Sequence, residues 1–436
     1  MNTKFYPWYV VFVLMLAQTF SFIDRMIMGL LVGPIRETFG ISDTQFSLLA
    51  GLAFSIFYAI MGLPMARIAD SRSRRALIAF GITLWSLMTA MCGLAKGYWT
   101  LFLARVGVGV GEATLSPAAY SLITDYFSRK TLAIAFSVYT LGVTFGSGLA
   151  YMIGGKVVAL VESLGTVTLP LIGVLHGWQL TFMVVGIPGL LVALLMMTVR
   201  EPERKGRLEG EGKGGVPLSV LFAFIKTNRI AIGTHVLGVS LYIIAVFGIN
   251  IWGPTYLIRT FDFSRGEAGL SFGLIMMILG TLGLLVGGML ADKWYAAGRR
   301  DAYSRVIMLS AACMTPAVVL LAFADELYLG IIGLSVATFF SAFQGGIAGG
   351  VLQLMTPNQL RSQVTAIYFL CANLIGLGLG PTVVAVATDY VFQDDAAIGK
   401  SLALTASIIC PLAMMIIWSG MSHVRKAIEN GENQVF

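Results

Sequence analysis

Twelve apolar segments of about 20 residues each constrain the fold of this chain more than any other feature of its sequence. A bilayer core about 30 Å thick is crossed by roughly 20 helical residues, because each residue adds ~1.5 Å. Of the 436 residues, 57% are hydrophobic and 12% are charged, whereas soluble domains carry about 25% charged residues. We therefore predict an all-α integral membrane protein with twelve transmembrane helices.

We refer to these predicted helices as spans 1–12. They are placed at residues 7–33, 45–66, 75–95, 99–125, 131–155, 179–199, 229–258, 266–291, 304–323, 327–355, 361–388 and 400–422. The first span is expected to be retained, because its apolar run is long, contains two charges and precedes no small-residue cleavage site.

Basic residues indicate the orientation of the spans. Most lie in loops on the side that holds both termini: Arg67, Arg72, Arg74, Arg75, Arg129, Lys130, Arg200, Lys293, Arg299, Arg300, Arg361, Arg425 and Lys426. Because cytoplasmic loops are enriched in Lys and Arg, we predict a multi-pass protein of the inner (plasma) membrane with cytoplasmic termini. The net charge of +7 then reflects topology, and no nucleic-acid partner is predicted.

Two apolar segments contain charged side chains well inside their length, and we expect no other buried charges. Asp24 and Arg25 lie in span 1, and Arg105 and Glu112 lie in span 4. A charge within the membrane costs several kcal/mol and normally faces a cavity or a partner. At ~1.5 Å per residue the two pairs lie at similar depths. We therefore expect all four groups to interact if both helices line one cavity.

This charged set is suited to proton-coupled movement of an anion. Opening a cavity changes the hydration and the neighbours of a carboxylate, and therefore its tendency to hold a proton. Asp24 and Glu112 are predicted to carry protons. Arginine stays charged and binds carboxylate or phosphate bidentately. Arg25 and Arg105 are therefore predicted to bind the anionic substrate group or to adjust how readily the two acids hold a proton. A static ion network that only fixes packing is the alternative.

A charged, glycine-rich segment from Glu201 to Gly215 divides the chain into two halves. It should form a flexible cytoplasmic linker. We predict six-helix bundles at 1–199 and 229–436, with the linker at 200–228. Within the linker, four apolar residues share one helical face and predict a short amphipathic helix on the membrane surface: Leu218, Leu221, Phe222 and Ile225.

The two halves repeat a loop pattern, which indicates internal duplication. After span 2, Ala66 precedes Asp70, and Arg74-Arg75 follows. After span 8, Gly288 precedes Asp292, and Arg299-Arg300 follows. The repeated halves suggest two bundles that rock around a central site.

Twelve spans, a central linker and this twice-occurring loop resemble the major facilitator superfamily. The resemblance implies the major facilitator fold and alternating access. Helix N-termini carry partial positive charge, so Asp70 and Asp292 are predicted to dock on the starts of spans 11 and 5. Arg74, Arg75 and Arg299 are assigned to the same gates, although they could be topology signals alone.

Several runs resemble the spinster family of lipid transporters. They are Phe22-Ile-Asp24-Arg25, the run from Arg105 to Ala113, Gly146 to Gly154, and Trp252-Gly-Pro254-Thr-Tyr256. The resemblance implies coupling and head-group roles for Asp24, Arg105 and Glu112, with a lysolipid or sphingoid-phosphate-like substrate. The alternative is the anion–cation symporter branch, which imports small organic anions such as sugar acids. The second half carries no intramembrane charge, which favours an amphiphile.

Other residues are candidates for lining the cavity: Phe54, Tyr58, Tyr139, Asn250, Trp252 and Gln344. We expect contacts with membrane lipid, no cofactor and no metal, since the three histidines lack metal-ligand spacing. No catalytic set is recognisable, so an enzyme is not predicted. A monomer is expected from the family resemblance.

Overall fold

The computed structural model describes residues 5–128, 131–163, 167–169, 173–203, 218–357 and 360–433. The first half contains α1 (Tyr6–Met26), α2 (Val32–Phe39), α3 (Asp43–Ser47), α4 (Ala53–Ser71), α5 (Arg74–Cys92), α6 (Tyr98–Glu112), α7 (Leu115–Tyr126), α8 (Leu132–Ser163) and α9 (Gly177–Met197). The second half contains α10 (Leu218–Thr227), α11 (Arg229–Phe261), α12 (Arg265–Ile275), α13 (Thr281–Ala296), α14 (Ala302–Leu320), α15 (Leu327–Ser341), α16 (Gln344–Met355), α17 (Arg361–Cys371), α18 (Gly378–Val386) and α19 (Ile398–Asn433).

Short irregular turns connect several helices into single spans. Tight 3-10 turns occupy Ile27–Leu30 and Asp395–Ala397. Wider π-helical turns occupy Leu48–Leu52, Met276–Gly280, Ala372–Leu377 and Ala387–Phe392. The wide turns join α3 to α4 and α12 to α13, so spans 2 and 8 are continuous despite their irregular centres.

Eleven helices of the described chain are long and apolar enough to cross a membrane. Span 4 is missing from this count because it breaks directly after Glu112 into α6 and α7, of 15 and 12 residues. Pro117 lacks the N–H that would bond the carbonyl of Ala113. At the same place, Thr114 donates its hydroxyl to the carbonyl of Gly111 at 2.8 Å. Together α6 and α7 cover the predicted span, and the twelve-span prediction is confirmed.

One element was absent from the all-α prediction. Strands β1 (Val167–Leu169) and β2 (Gly173–Leu175) pair antiparallel between spans 5 and 6. They lie in a segment that was treated as a loop, because three-residue strands are too short to give a period-two pattern.

The predicted surface helix is present as α10. Leu221 is buried against the protein, whereas Phe222 is 63% exposed. The two residues of the predicted apolar face are therefore not buried to the same extent. The side chain of Leu218 and residues 204–217 of the predicted linker lie outside the described residues.

Two compact units divide the described chain at positions that differ from the predicted bundle boundaries. The first unit comprises Met1–Gly206 and Asn250–Met277, and the second comprises Arg207–Ile249 and Ile278–Phe436. The distal part of span 7 and the first part of span 8 therefore belong to the first unit. This assignment reflects packing of α12 on α8, which glycines allow: a Cβ on Gly269 would meet the carbonyl oxygen of Tyr151 at 2.5 Å.

Candidate functional site

An ion pair buried in the first unit joins spans 1 and 4. Arg25 donates Nε to Oε2 of Glu112 at 2.7 Å, and its Nη2 lies 2.6 Å from the same oxygen. Ser21 donates its hydroxyl to that oxygen at 2.6 Å. Arg25 lies in the last turn of α1 and Glu112 ends α6, so both charges lie where regular helix stops.

Aromatic rings surround the guanidinium of Arg25. Its Cζ lies 4.9 Å from the ring centre of Phe22, 4.6 Å from Phe54 and 4.8 Å from Tyr58. Phe54 and Tyr58 stack with ring centres 5.3 Å apart. Cation–π contacts of this kind contribute about 0.5–2 kcal/mol each, so Arg25 is held by rings as well as by Glu112.

Asp24 and Arg105 have quite different surroundings from this pair. Asp24 accepts a hydrogen bond from the Thr89 hydroxyl at Oδ2, at 3.1 Å. Arg105 donates Nη1 to the backbone carbonyl of Asp24 at 3.3 Å and lies over the ring of Phe54. Among the described residues, neither Asp24 nor Arg105 forms an ion pair.

Four buried polar atoms of this charged set have no hydrogen-bond partner in the described chain: Oδ1 of Asp24, Oε1 of Glu112, and Nε and Nη2 of Arg105. Both acids and Arg105 are at most 2% exposed. Buried polar groups without partners are costly and unusual. Their concentration at one place indicates a site that protons, water or a ligand complete.

The polar stripe of span 1 continues beyond the charges. Tyr139 donates its hydroxyl to Oε1 of Gln18 at 2.6 Å, and both residues are buried. Gln18, Ser21 and Thr89 are not among the site residues predicted from the sequence. The spacing of Gln18, Ser21 and Arg25 places them on one helix face, and this signal could have identified the first two.

The remaining predicted substrate residues have separate environments. In the first unit, the backbone carbonyl of Asn250 accepts a hydrogen bond from the Tyr151 hydroxyl. Trp252 is fully buried, with its ring centre 6.1 Å from Phe46. Gln344 is half-buried at the first position of α16, in the second unit.

The predicted gating residues form contacts within each unit. In the first, Arg74 is buried and donates Nε to Glu201 at 2.8 Å, with a second ion pair to Asp125. The amide of Arg75 donates to Glu201 at 2.9 Å. The Asp70 side chain lies outside the described residues.

In the second unit, Asp292 accepts a hydrogen bond from the hydroxyl of Tyr303 at 2.7 Å. Arg299 lies with its Cζ 5.6 Å from the ring centre of Trp294. Asp292 and Arg299 therefore each contact an aromatic side chain of the same unit.

The expectation that no other charges are buried is wrong. Asp43, Arg74, Asp125 and Asp301 are also at least 94% shielded. Asp125 is the last residue of predicted span 4, and the other three lie just before predicted spans, so a sequence window places all four at span ends and not in the membrane interior. Asp43 is bound by two arginines: Arg36 at 3.1 Å, and Arg259 at 2.6 and 2.8 Å.

Comparison with known proteins identifies the family. A family model described as Major Facilitator Superfamily matches residues 14–381. The chain belongs to the Major Facilitator Superfamily. An MFS-type efflux pump from Mycolicibacterium smegmatis is 28% identical over 97% of this chain and 94% of that protein. The hexuronate transporter of Bacillus subtilis is 26% identical over 92% of each chain.

A solved structure is also similar to this chain. It is a bacterial homolog of the human lysosomal transporter spinster, in an inward-facing and unoccupied conformation. That structure has a TM-score of 0.76 and 26% identity, with 97% of each chain covered. The resemblance to spinster proteins is thereby confirmed. As a superfamily member, this chain is a multi-pass membrane transporter of a small substrate and not an enzyme.

Proposed function

We propose that this superfamily member is a proton-coupled transporter of an anionic amphiphile, of the lysolipid or sphingoid-phosphate kind. The observation that carries the proposal is the buried charged set in spans 1 and 4, with unpartnered atoms on Asp24, Glu112 and Arg105. The transported molecule and the proton use the same place in the first unit. Substrate binding can therefore be coupled to proton loading.

Asp24 is the principal proton carrier in this proposal. Glu112 has a counterion in Arg25, whereas among the described residues the Asp24 side chain has only the hydroxyl of Thr89 as a hydrogen-bond partner. Burying a carboxylate costs far less when it carries a proton or has a cation beside it. Asp24 therefore gains most from taking up a proton when the site is closed to water.

Arg105 is the anion-binding residue. The charge of Arg25 is already matched by Glu112, and its faces are covered by rings. Nε and Nη2 of Arg105 have no hydrogen-bond partner in the part of the chain that the structure describes, and these two atoms form one edge of the guanidinium. Such an edge binds a phosphate or carboxylate through two parallel hydrogen bonds. The rings of Phe22, Phe54 and Tyr58 then offer an apolar surface beside the anionic head.

The experiment is proton flux in proteoliposomes that contain an internal pH dye. Lysophospholipid or sphingosine phosphate is added in one series and glucuronate in another, with wild type and Asp24→Asn. We expect acidification or alkalinisation only with the amphiphiles, and its loss in the variant. Normal flux in Asp24→Asn would refute the proton assignment.

Arg105→Gln tests the head-group assignment in the same vesicles. We expect at least roughly tenfold weaker binding of the anionic amphiphile, since a hydrogen bond to a charged group contributes about 1.5–3 kcal/mol. The affinity for a neutral monoacylglycerol with the same acyl chain should change little in this variant. Equal losses for the two ligands would rule out recognition of the anionic head.

A second candidate function is symport of small organic anions. It is favoured by the similarity to the hexuronate transporter over 92% of each chain, and Arg105 suits a sugar carboxylate equally well. Proton flux with glucuronate and none with the amphiphiles would select this function. For either function we propose cytoplasmic termini and a monomer.

A further inference from the structure

An open groove runs along the lipid-exposed side of α14 and α19 in the second unit. It has a volume of about 570 Å³ and is lined by Ala312, Pro316, Pro411 and Met415, among others. Pro316 and Pro411 lie inside their helices, and Met415 is 59% exposed. The short side chains of α14 leave an apolar slot within the membrane-spanning part of the chain.

A second groove of about 320 Å³ lies next to the first one. Its lining differs in kind, because it contains Trp294, Trp418, Arg299 and Arg305. Trp418 is 66% exposed. Tryptophan is enriched where hydrocarbon meets head groups, and arginine is the residue that binds phosphate bidentately. This second groove therefore has the composition of a head-group site.

The two grooves follow one another along α14 and α19. Met308 of the polar groove is four residues before Ala312 of the apolar slot, and Trp418 is three residues after Met415. Residues at these spacings are neighbours on one helix face. Arg305 and Pro316 are separated by about 16 Å along α14, close to half of the bilayer core thickness of about 30 Å.

We propose that this composite groove binds an anionic phospholipid of the leaflet on the basic side. The phosphate lies against Arg299 and Arg305, the tryptophans flank the glycerol region, and one acyl chain fills the slot between Pro316 and Pro411. Basic pockets between transmembrane helices bind anionic head groups in this way. The site is separate from the charged set of spans 1 and 4.

The charges of the groove favour an anionic lipid over a neutral one. Arg299 forms no ion pair with any described residue, and its guanidinium is stacked near Trp294. Arg305 pairs with Asp301 at 2.9 Å, and Arg425 binds the same carboxylate at 2.6 Å. Two arginines therefore share one carboxylate, and Arg299 adds a further positive charge to the lining of the groove.

Native mass spectrometry of the full chain in detergent tests the site. Phosphatidylglycerol and phosphatidylcholine with identical chains are titrated onto wild type, Arg299→Gln and Ala312→Phe. We expect one tightly retained phosphatidylglycerol on wild type and roughly fivefold weaker retention in Arg299→Gln, the effect expected for one juxtamembrane basic residue. Ala312→Phe should weaken it similarly by filling the slot.

Two matched variants serve as controls. Arg300→Gln removes a neighbouring charge that does not line the groove, and Ile332→Phe places the same aromatic ring at an exposed position of α15. Both should retain phosphatidylglycerol as wild type does, as should Asp24→Asn. Equal retention of the two lipids, or unchanged retention in Arg299→Gln and Ala312→Phe, would overturn the proposal. So would occupation of the groove by a second copy of the chain.

Discussion

At the scale of single residues, two arginines of one site differ in their hydrogen-bonding partners. Arg25 has a carboxylate at 2.6 Å and three aromatic rings around it. Arg105 is equally buried but leaves two nitrogens unpartnered. The first arginine therefore stabilises the site, and the second remains able to bind a ligand.

This difference predicts unequal stability losses for the two acids. Glu112→Gln leaves Arg25 buried without its counterion, which costs about 3–5 kcal/mol. Asp24→Asn removes no ion pair and should cost much less. Thermal unfolding of the detergent-solubilised variants measures the difference. The double variant Arg25→Gln/Glu112→Gln should recover part of the loss. Equal destabilisation by Glu112→Gln and Asp24→Asn would contradict this assignment.

At the scale of elements, a proline in α11 explains a contact between two helices. Pro254 has no N–H, so the carbonyl of Asn250 loses its usual partner within the helix. The buried hydroxyl of Tyr151 in α8 donates to that carbonyl. The boundary between the two compact units falls at this same position, between Ile249 and Asn250.

A double-mutant cycle tests whether Tyr151 replaces the missing amide. Tyr151→Phe should cost about 1 kcal/mol and speed amide exchange over residues 250–261. In a Pro254→Ala background the alanine supplies an N–H, so the same substitution should cost less. The measurement is hydrogen exchange with thermal unfolding. An identical cost in both backgrounds would mean that the hydroxyl acts elsewhere.

The end of span 6 is attached to the start of span 3 by a carboxylate whose state depends on pH. Burial raises the pKa of Glu201, but hydrogen bonds from the Arg75 amide, Arg74 and Ser73 outweigh it and lower the net pKa below its usual value. A lowered pKa in the folded state stabilises the fold above the unfolded pKa. This stability is lost as pH falls through the folded value.

Acidification should therefore weaken wild type more than Glu201→Gln, whose amide does not titrate. Between about pH 6 and pH 3, around the ordinary Glu pKa of about 4.3, we expect the difference in unfolding midpoint between the two proteins to shrink. Melting curves across this range provide the measurement. Parallel pH profiles would show that Glu201 does not hold span 6 in the manner described.

At the scale of the whole molecule, we expect this superfamily member to alternate which side of its substrate site is open. Asp43 in α3 and Arg259 in α11 belong to opposite halves of the sequence, yet both lie in the first unit. Their two hydrogen bonds, at 2.6 and 2.8 Å, fix the distal end of span 7 to the start of span 2. We expect this connection to open during each transport cycle.

Cross-linking provides a test of that expectation. In a background without Cys92, Cys313, Cys371 and Cys410, a cysteine pair at positions 43 and 259 is joined by a cleavable reagent. Most transport should disappear and return on reduction. A pair at positions 36 and 43, within the first half, should leave transport intact when joined. Continued transport by the 43–259 cross-linked protein would exclude movement at this connection.

The twelve spans, the family and the four intramembrane charges could all be predicted from the amino-acid sequence. These features are local: about 20 apolar residues fill a bilayer, and a charge within such a run is visible without any partner. Span 4 illustrates the limit, since its break after Glu112 follows from Pro117 and Thr114 but was treated as continuous helix. The three-residue strands gave no readable pattern.

The pairing of the charges could not be predicted from the sequence and depends on how the helices pack. Arg25 and Glu112 are 87 positions apart, and the rotation of two packed helices determines that they meet. The same rotation leaves Asp24 and Arg105 without an ion pair to any described residue. Asp43 and Asp301 looked like loop residues, because burial at a span end depends on neighbours from distant sequence. The physical reason is the same in each case: hydrophobic length is a property of one segment, whereas ion pairing requires two segments to be positioned by packing.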